Sequence, residues 1–289
     1  MFIIFKAIRI HQWVKNFLVF IPMIASHQIT IQNIYNSFLA FFAFCLIASS
    51  GYIVNDLLDL KFDKSHPYKK LRPFASGALS AKNGLVIFLI LCLLGFFLSF
   101  LIGIHFLFLI LSYWLLSLLY SFKLKKIIII DIFVLGIVYT LRILGGSFAT
   151  ELQMSLWLFA FSIFFFLSLA SVKRLSELVN LKNRNIYKIE GRGYDIKNLQ
   201  LIKVIAILFG SLSLIIISFY INSPDILDLY SKPPTLLAMF LVLGFWLIRI
   251  IFLGINGKID GDPIIYALKD ITSIFCLTAI LLLFMINFT

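Results

Sequence analysis

The chain has little charge for its length. Of its 289 residues only 13% are Asp, Glu, Lys or Arg, whereas 62% are hydrophobic. Soluble domains are about 45–50% apolar and about 25% charged, so this composition excludes a soluble fold with an ordinary core. Apolar windows of roughly 18 to 25 residues recur along the sequence, each long enough to cross a hydrocarbon layer of about 30 Å. We therefore predict an integral membrane protein with one transmembrane domain over residues 1–289.

Cysteine is scarce as well, and no pair of cysteines has CxxC or Cys/His spacing. Each cysteine lies alone in an apolar run, which excludes a zinc site or a disulfide framework and favours ordinary packing. The N-terminus has interspersed cations and no small-residue cleavage site, so we do not expect a removable signal peptide. The sequence also lacks strand-like alternation and a repeat of fixed period, which predicts an all-helical architecture.

The apolar runs predict an all-α bundle of about nine transmembrane helices. Their approximate ranges are 14–30, 33–60, 83–102, 105–121, 127–149, 155–177, 199–221, 235–253 and 268–287. Cations are concentrated in the N-terminal segment and in the connections after even-numbered helices. By the positive-inside rule these segments face the cytoplasm of an inner membrane, which places the active site on that side. Topology and lipid head groups thus explain the net charge of +12 without nucleic acid.

Three of the few acids lie together at the end of the second predicted helix. Asp56, Asp59 and Asp63 recur at i, i+3 and i+7, which places them on one face of a continuous helix, with Asn55 beside that face. Like charges on one stripe repel one another unless they share a cation, and clustered oxygen ligands suit Mg²⁺. The three aspartates are therefore predicted metal ligands. The alternative is a solvated helix end with ordinary surface acids.

Cations follow these acids directly. Lys69, Lys70 and Arg72 come next in the chain, with His66 between the two groups. A metal held by carboxylates and flanked by Lys and Arg forms a clamp for diphosphate, because the metal bridges phosphate oxygens while the cations neutralise the remaining charge. The stretch therefore predicts a site for a diphosphate-bearing substrate.

The pattern N-D-x-x-D-x-x-x-D running into R-P resembles the first aspartate-rich motif of the UbiA superfamily of intramembrane prenyltransferases. That resemblance implies a helical membrane bundle and a Mg²⁺-dependent site in which the three aspartates bind the diphosphate of a substrate. Most members carry a second aspartate-rich motif on a later helix. Here the corresponding stretch is SVKRLSELVN, with Lys173, Arg174 and Glu177. A site that has lost acids and gained cations should bind more phosphate.

Four further stretches, RIHQWVKNFLVFIP, YSFKLKKIIIIDIFVLGIVYTLRILGG, VKRLSEL and GDPIIYALKD, are similar to the decaprenyl-phosphate phosphoribosyltransferase branch of that superfamily. This resemblance spans essentially the whole chain. It implies transfer of 5-phosphoribose from phosphoribosyl diphosphate to a polyprenyl phosphate lipid, as in cell wall biosynthesis, and it leaves a homo-oligomer open. The substrate-binding residues that it and the charge pattern indicate are Lys15, Asn16, Asn55, Lys69, Lys70, Arg72, Tyr120, Lys126, Asp131, Arg142, Lys173, Arg174, Glu177 and Arg192.

Two other functions stay open at this point. One is a UbiA-type aromatic prenyltransferase, for example a 4-hydroxybenzoate polyprenyltransferase, which would use the first motif in the same way. The other is a transporter or lipid-binding protein without chemistry, which predicts charges at mid-membrane on several helices, whereas mainly Arg142 fits that description.

Several of the charges also have two interpretations. Lys15 and Asn16 either hold a phosphate at the mouth of the bundle, or Lys15 extends to the membrane surface. Glu177 either belongs to the site or pairs with Lys173 at i, i+4. Arg142 is deep in the fifth helix, where it either serves the site and links helices or caps backbone carbonyl groups.

Overall fold

A computed structural model describes residues 2–65, 69–184, 192–223 and 233–286. The regular elements of these residues are helical, which confirms the predicted all-α fold class. Within these described ranges, seven helices are long and apolar enough to cross a membrane. The chain groups into two compact units: unit 1 comprises Met1–Val134, Leu141–Met154 and Glu190–Gly193, and unit 2 comprises Leu135–Thr140, Ser155–Ile189 and Tyr194–Thr289. The single transmembrane domain stays a prediction.

Unit 1 holds the first six helices and most of the seventh. They are α1 (Phe2–Ala7), a 3₁₀ segment (Ile10–Phe20), α2 (Ile21–Ala25), α3 (Ile31–Leu58), α4 (Leu60–Ser65), α5 (Ala81–Ile102), α6 (Ile104–Phe122) and α7 (Ile130–Thr150), with 3₁₀ turns at Lys69–Leu71 and Leu124–Lys126. Helices α3, α5 and α6 pack on one another, and α3 also contacts the 3₁₀ segment. Hydroxyl caps fix where the helices begin, because Thr30 and Ser80 accept hydrogen bonds from the third backbone N–H of α3 and α5.

The N-terminal segment differs from the predicted helix over 14–30. It forms the 3₁₀ segment and the short α2 instead, because Pro22 has no N–H and cannot donate to the carbonyl of residue 18 as a continuous α-helix requires. The segment is fixed to α3 through side chains. Trp13 Nε1 donates to Ser49 Oγ at 3.0 Å, and that hydroxyl donates to the carbonyl of Ile8 at 2.9 Å.

Unit 2 holds the remaining helices. They are α8 (Leu156–Asn183), a 3₁₀ turn (Ile196–Asn198), α9 (Leu199–Ile221), α10 (Pro233–Ile255), α11 (Pro263–Ala267) and α12 (Ile271–Met285), together with residues 135–140 of α7. Helix α8 packs on α9, and α10 contacts α8, α9 and α12. Asp270 caps α12 and forms a two-pronged ion pair with Arg249, at 2.6 and 3.0 Å. The hydrogen bonds from Arg249 lower the pKa of Asp270 to about 2, so this carboxylate stays ionised.

Large apolar side chains cover the outer faces of the long helices. Leu93, Phe100 and Phe275 are between 65% and 71% exposed, and many similar residues accompany them. So much exposed apolar surface is unfavourable in water but favourable in contact with lipid. Residues that allow close approach lie between helices instead, as where the hydroxyl of Ser168 donates to the carbonyl of Ala206 at 2.8 Å. The chain is therefore a multi-pass membrane protein.

Gly146 provides a test of how α7 packs in unit 1. A Cβ atom at this position would lie 1.9 Å from the carbonyl oxygen of Val19 in the 3₁₀ segment, a contact with backbone that no rotamer change can relieve. We expect Gly146→Ala to lower the free energy of unfolding by about 2 kcal/mol, as overpacking does. Gly51→Ala is the matched control, since its Cβ would meet Ser117 Cβ at an ordinary 3.8 Å. Equal unfolding midpoints of the two variants in detergent would contradict the packing.

Candidate active site

Two of the predicted acids, Asp56 and Asp63, face the same cation. The Nη1 atom of Arg72 donates to Asp56 at 3.0 Å and to Asp63 at 2.7 Å, and both carboxylate side chains are at most 4% exposed. Arg9 forms a second ion pair with Asp56, and its guanidinium lies 5.0 Å from the centroid of the Tyr52 ring. Two buried carboxylates are thus neutralised by arginines from two distant segments of the chain.

The third acid, Asp59, has a different partner. Helix α3 ends at Leu58 and Asp59 is its C-cap residue, so the helix is interrupted before α4 begins. Asp59 accepts a hydrogen bond from Lys125 Nζ at 2.6 Å, and the same ammonium group donates to the Asn55 side-chain oxygen at 3.2 Å. The continuous carboxylate stripe predicted from the i, i+3, i+7 spacing is therefore divided into two ion-paired groups.

The acids fit a divalent cation by their chemistry, because carboxylate and amide oxygens are the ligands that Mg²⁺ prefers. Asp56 and Asp63 both contact one nitrogen of Arg72, so one cation can reach both carboxylates. In the described part of the chain, however, no three His, Cys, Asp or Glu side chains converge as metal ligands. The protein's own cations instead pair Asp59 with Lys125 and the other two acids with Arg72. The three-aspartate metal site stays a prediction.

The cationic run after α6 contributes Lys125 to this cluster, whereas the predicted Lys126 is exposed. These two neighbouring side chains point in different directions because they lie in a 3₁₀ turn over Leu124–Lys126. Farther along, the hydroxyl of Tyr120 donates to Asp131 Oδ1 at 2.8 Å, and Asp131 is fully buried. These two predicted residues are therefore brought together in unit 1.

Arg192 belongs to a short stretch of unit 1 that packs against the segment after α6. The neighbouring Gly193 allows this approach, because a Cβ there would lie 2.3 Å from the carbonyl oxygen of Lys126. The part of the polar loop after α8 that lies within unit 1 thus contacts a cation-rich turn. Lys69 and Lys70 are exposed, and His66 lies outside the described residues.

A second polar group lies deep in unit 1. Arg142 donates from Nε to Asn16 Oδ1 at 2.7 Å and from Nη2 to the Tyr113 hydroxyl at 2.8 Å. Asn16 also donates to the Cys45 sulfur at 3.1 Å. Arg142 therefore links α7 to α6 and to the 3₁₀ segment, as expected of an inter-helix arginine. Lys15 is buried at 7% exposure and does not extend to the surface.

Unit 2 holds its own arrangement of charges. Lys173 Nζ lies 3.3 Å from Asp262 Oδ2, and the Tyr139 hydroxyl donates to the same oxygen at 2.7 Å. The adjacent Arg174 is fully buried and pairs with Glu177 at 2.7 Å. Glu177 therefore has an i, i+3 partner in Arg174.

The buried acids, their paired cations and the helical membrane fold agree with one family. Residues 17–192 match the UbiA prenyltransferase family. The chain belongs to this family. The resemblance to the UbiA superfamily noted in the sequence is therefore confirmed.

Three relatives of this UbiA protein span different shares of it. Over 270 residues it is 36% identical to the uncharacterized protein y4nM of Sinorhizobium fredii. The aligned region covers 93% of this chain and 52% of that protein. Over 277 residues it is 32% identical to the nodulation protein NoeC of Azorhizobium caulinodans, at 96% and 90% coverage. Over 181 residues it is 36% identical to the decaprenyl-phosphate phosphoribosyltransferase of Corynebacterium glutamicum, at 60% and 54% coverage. The chain thus spans about half the length of two of these relatives.

Solved structures of UbiA proteins share the fold. A UbiA homolog from Archaeoglobus fulgidus bound to DMAPP and Mg²⁺ superposes with a TM-score of 0.72 at 12% identity, covering 97% of this chain and 98% of the other. Digeranylgeranylglyceryl phosphate synthase gives a TM-score of 0.68 at 21% identity, covering 99% and 97%. At these identities the similarity establishes the architecture and leaves the substrate open.

Four residues of these clusters are absent from the predicted site residues: Arg9, Lys125, Tyr139 and Asp262. Arg9 and Asp262 do lie in the stretches RIHQWVKN and GDPIIYALKD that support the family resemblance. Lys125 stands in a run of similar lysines, and Tyr139 lies in an apolar helix, so neither carries a distinguishing sequence signal. Only the contacts with the acids identify them.

The two neighbouring lysines after α6 provide a direct test of the cluster. Lys125→Met removes the charge that neutralises Asp59, so we expect the free energy of unfolding to fall by about 2 kcal/mol, the range of a charged hydrogen bond. Lys126→Met is the matched control. It should change the free energy of unfolding by at most about 0.5 kcal/mol, as a substitution at an exposed position does. Chemical unfolding of the two variants in detergent measures both values. Equal losses would contradict the pairing of Asp59 with Lys125.

Proposed function

We propose that this UbiA protein transfers 5-phosphoribose from phosphoribosyl diphosphate to a polyprenyl phosphate, releasing diphosphate. The observation that carries the proposal is the cluster of unit 1, in which Arg9, Arg72 and Lys125 pair with the three aspartates of the first motif. A diphosphate leaving group needs cations of this kind around it, because negative charge builds up on it as its bond breaks.

The choice of a phosphorylated sugar over an aromatic acceptor rests on two further observations. The chain is similar to a decaprenyl-phosphate phosphoribosyltransferase over 60% of its length. In addition, the end of the sixth predicted helix carries Lys173, which is 21% exposed and can meet a phosphate group. A second acidic motif would instead favour the metal-bound prenyl diphosphate of the aromatic prenyltransferases.

The proposed reaction breaks the bond between C1 of the ribose and the diphosphate oxygen, and the electron pair leaves with the diphosphate. An oxygen of the polyprenyl phosphate forms the new bond to C1. This nucleophile needs no base to remove a proton, since a phosphate monoester with a second pKa near 6 is already anionic at neutral pH. The protein's role is to position the two substrates and neutralise their charge.

A divalent cation is part of this proposal. Asp56 and Asp63 would hold it, with Asp59 nearby in sequence, and Mg²⁺ is the candidate because the donors are hard oxygens. When bound, it would supply positive charge that stabilises the leaving group. Arg72 and Arg9, which neutralise these carboxylates in the structure, would then contact phosphate instead. We further propose that the cluster faces the cytoplasm, as the distribution of cations indicates.

A lipid-product assay tests the transfer. Purified protein with Mg²⁺, phosphoribosyl diphosphate and polyprenyl phosphate should release diphosphate and yield a phosphoribosylated lipid. Asp63→Asn should lower turnover about 100-fold, because it removes a ligand of the cation that stabilises the leaving group. The exposed acid Glu151, at the C-cap of α7, provides the control variant Glu151→Gln. Product formed only from polyprenyl diphosphate and 4-hydroxybenzoate would establish the aromatic prenyltransferase instead.

The exchange of cations around Asp56 and Asp63 can be tested without turnover. Arg72→Gln leaves two buried carboxylates less well compensated, so we expect its free energy of unfolding to fall by about 2 kcal/mol in the absence of metal. Mg²⁺ should then raise the unfolding temperature of this variant more than that of the wild type, because the ion replaces the missing charge. The exposed Lys70→Gln serves as the control. Equal Mg²⁺ effects in all three proteins would contradict a metal position between these acids.

A further inference from the structure

Asp262 stands in the sequence far from the two motifs, yet it meets the second of them in unit 2. It lies 89 residues after Lys173 and contacts the ammonium group of that lysine at 3.3 Å. The stretch SVKRLSELVN contains no aspartate, and the one that meets its lysine comes from the segment between α10 and α11. This segment turns at Gly257 and Gly261, which have φ angles of +67° and +79° and so favour glycine.

Hydrogen bonds of Asp262 itself and of the segment before it hold this residue in place. Its Oδ1 atom accepts from the backbone N–H of Ile264 at 3.2 Å, which caps α11, and its Oδ2 atom accepts from the Tyr139 hydroxyl at 2.7 Å. The preceding segment is attached to α8 where Ser176 Oγ donates to the carbonyl of Ile259 at 2.7 Å. The carboxylate is therefore fixed before any ligand binds.

The surroundings of Tyr139 add to this rigidity. Its ring stacks on Phe166, with centroids 5.1 Å apart and an interplanar angle of 17°. The Tyr139 side chain is buried, and so is Asp262, whereas 21% of the Lys173 side chain remains exposed. The arrangement thus consists of a buried, hydrogen-bonded carboxylate behind a lysine whose outer part can reach a ligand.

The neighbouring cation cannot serve in the same way. Arg174 is fully buried and its pairing with Glu177 is short, at 2.7 Å, whereas the ion pair of Lys173 with Asp262 is longer, at 3.3 Å. An ammonium group carries three donor hydrogens, so contact with one carboxylate oxygen is compatible with donation to a ligand. Of these two cations, Lys173 is therefore the one suited to bind an anion.

We infer that Asp262 is a positioning residue, which together with Tyr139 orients Lys173 to bind a phosphate monoester. The inference rests on the proposed function in taking Lys173 as a ligand of a substrate phosphate. Two substrates of that function carry such a group: the sugar phosphate has it at the 5 position, and the polyprenyl phosphate has it at the lipid terminus. A carboxylate behind the ammonium group restricts where its hydrogens point, which reduces the entropy lost on binding.

Equilibrium binding in lipid nanodiscs tests this assignment independently of turnover. The probes are ribose 5-phosphate, farnesyl phosphate and, for the cluster of unit 1, inorganic diphosphate with Mg²⁺. We expect Asp262→Asn and Lys173→Met each to weaken the binding of one of the two monoesters roughly tenfold. A coupling of this size is ordinary for residues in contact. Diphosphate binding should change less than twofold. Which monoester is affected identifies the substrate that Lys173 binds.

The double variant separates positioning from a structural role. If Asp262 acts through Lys173, then Asp262→Asn should have no further effect in the Lys173→Met background. Additive losses, or equal weakening of all three probes, would overturn the inference, as would a wild type that binds neither monoester. If the wild type binds a monoester with these dependences but transfers no phosphoribose, the proposed function fails while the positioning role stands.

Two further variants keep the test decisive. Asp270→Asn is the matched control, because Asp270 also caps a helix of unit 2 and pairs with a cation, Arg249. It should leave the binding of all probes unchanged. Tyr139→Phe removes one hydrogen bond to Asp262 while keeping the stacked ring, and we expect it to weaken the same monoester by about threefold. This variant decides the question if Asp262→Asn does not fold.

Discussion

The rest of unit 1 depends on one constraint: the acids at the end of an apolar helix must be neutralised by cations. Asp56 is 2% exposed and Asp63 is 3% exposed, in a chain that has only 13 acids in total. A carboxylate removed from water costs several kcal/mol unless cations and hydrogen bonds compensate it. The compensation comes from separate parts of the chain: Arg9 precedes the 3₁₀ segment, Arg72 follows α4, and Lys125 follows α6. The N-terminal segment, attached to α3 through Trp13, therefore completes the charge balance of the first motif.

In unit 2, buried charges are likewise compensated by charges of opposite sign. There Lys173 and Arg174 come from one helix, and the acids that meet them are Asp262 and Glu177. In the first pair the lysine is 21% exposed and the acid is buried, whereas in the second the arginine is fully buried and Glu177 is 30% exposed. The proposed function accounts for the charge on the apolar helices of both units, since its substrates combine phosphorylated groups with a lipid chain. Such a function needs polar groups that are compensated without a ligand and can still contact one.

Much of the fold could be predicted from the sequence because hydrophobic periodicity and helix caps act locally. The long helices begin within a few residues of the predicted positions, and Thr30, Ser80 and Ser155 cap three of them. The first predicted helix was wrong, since the segment forms a 3₁₀ segment and the short α2. The apolar composition favoured one continuous helix, but Pro22 lacks the N–H that such a helix needs. In the candidate site, Arg72 contacts Asp56 and Asp63, two of the acids that it follows closely in the sequence. The prediction of a single carboxylate stripe was not correct, because the helix break at Asp59 depends on where the partners of the three acids lie.

The sequence by itself determined the class of protein, the positions of its helices and the motif that places it in the UbiA family, since composition, periodicity and motif spacing are properties of neighbouring residues. The tertiary structure decided which charges meet. It selected Lys125 over Lys126, joined Arg9 to Asp56, and brought Asp262 and Tyr139 to Lys173 across 89 and 34 positions of the chain. These pairings depend on how separate helices pack, and electrostatic interaction acts through space without regard to distance along the sequence.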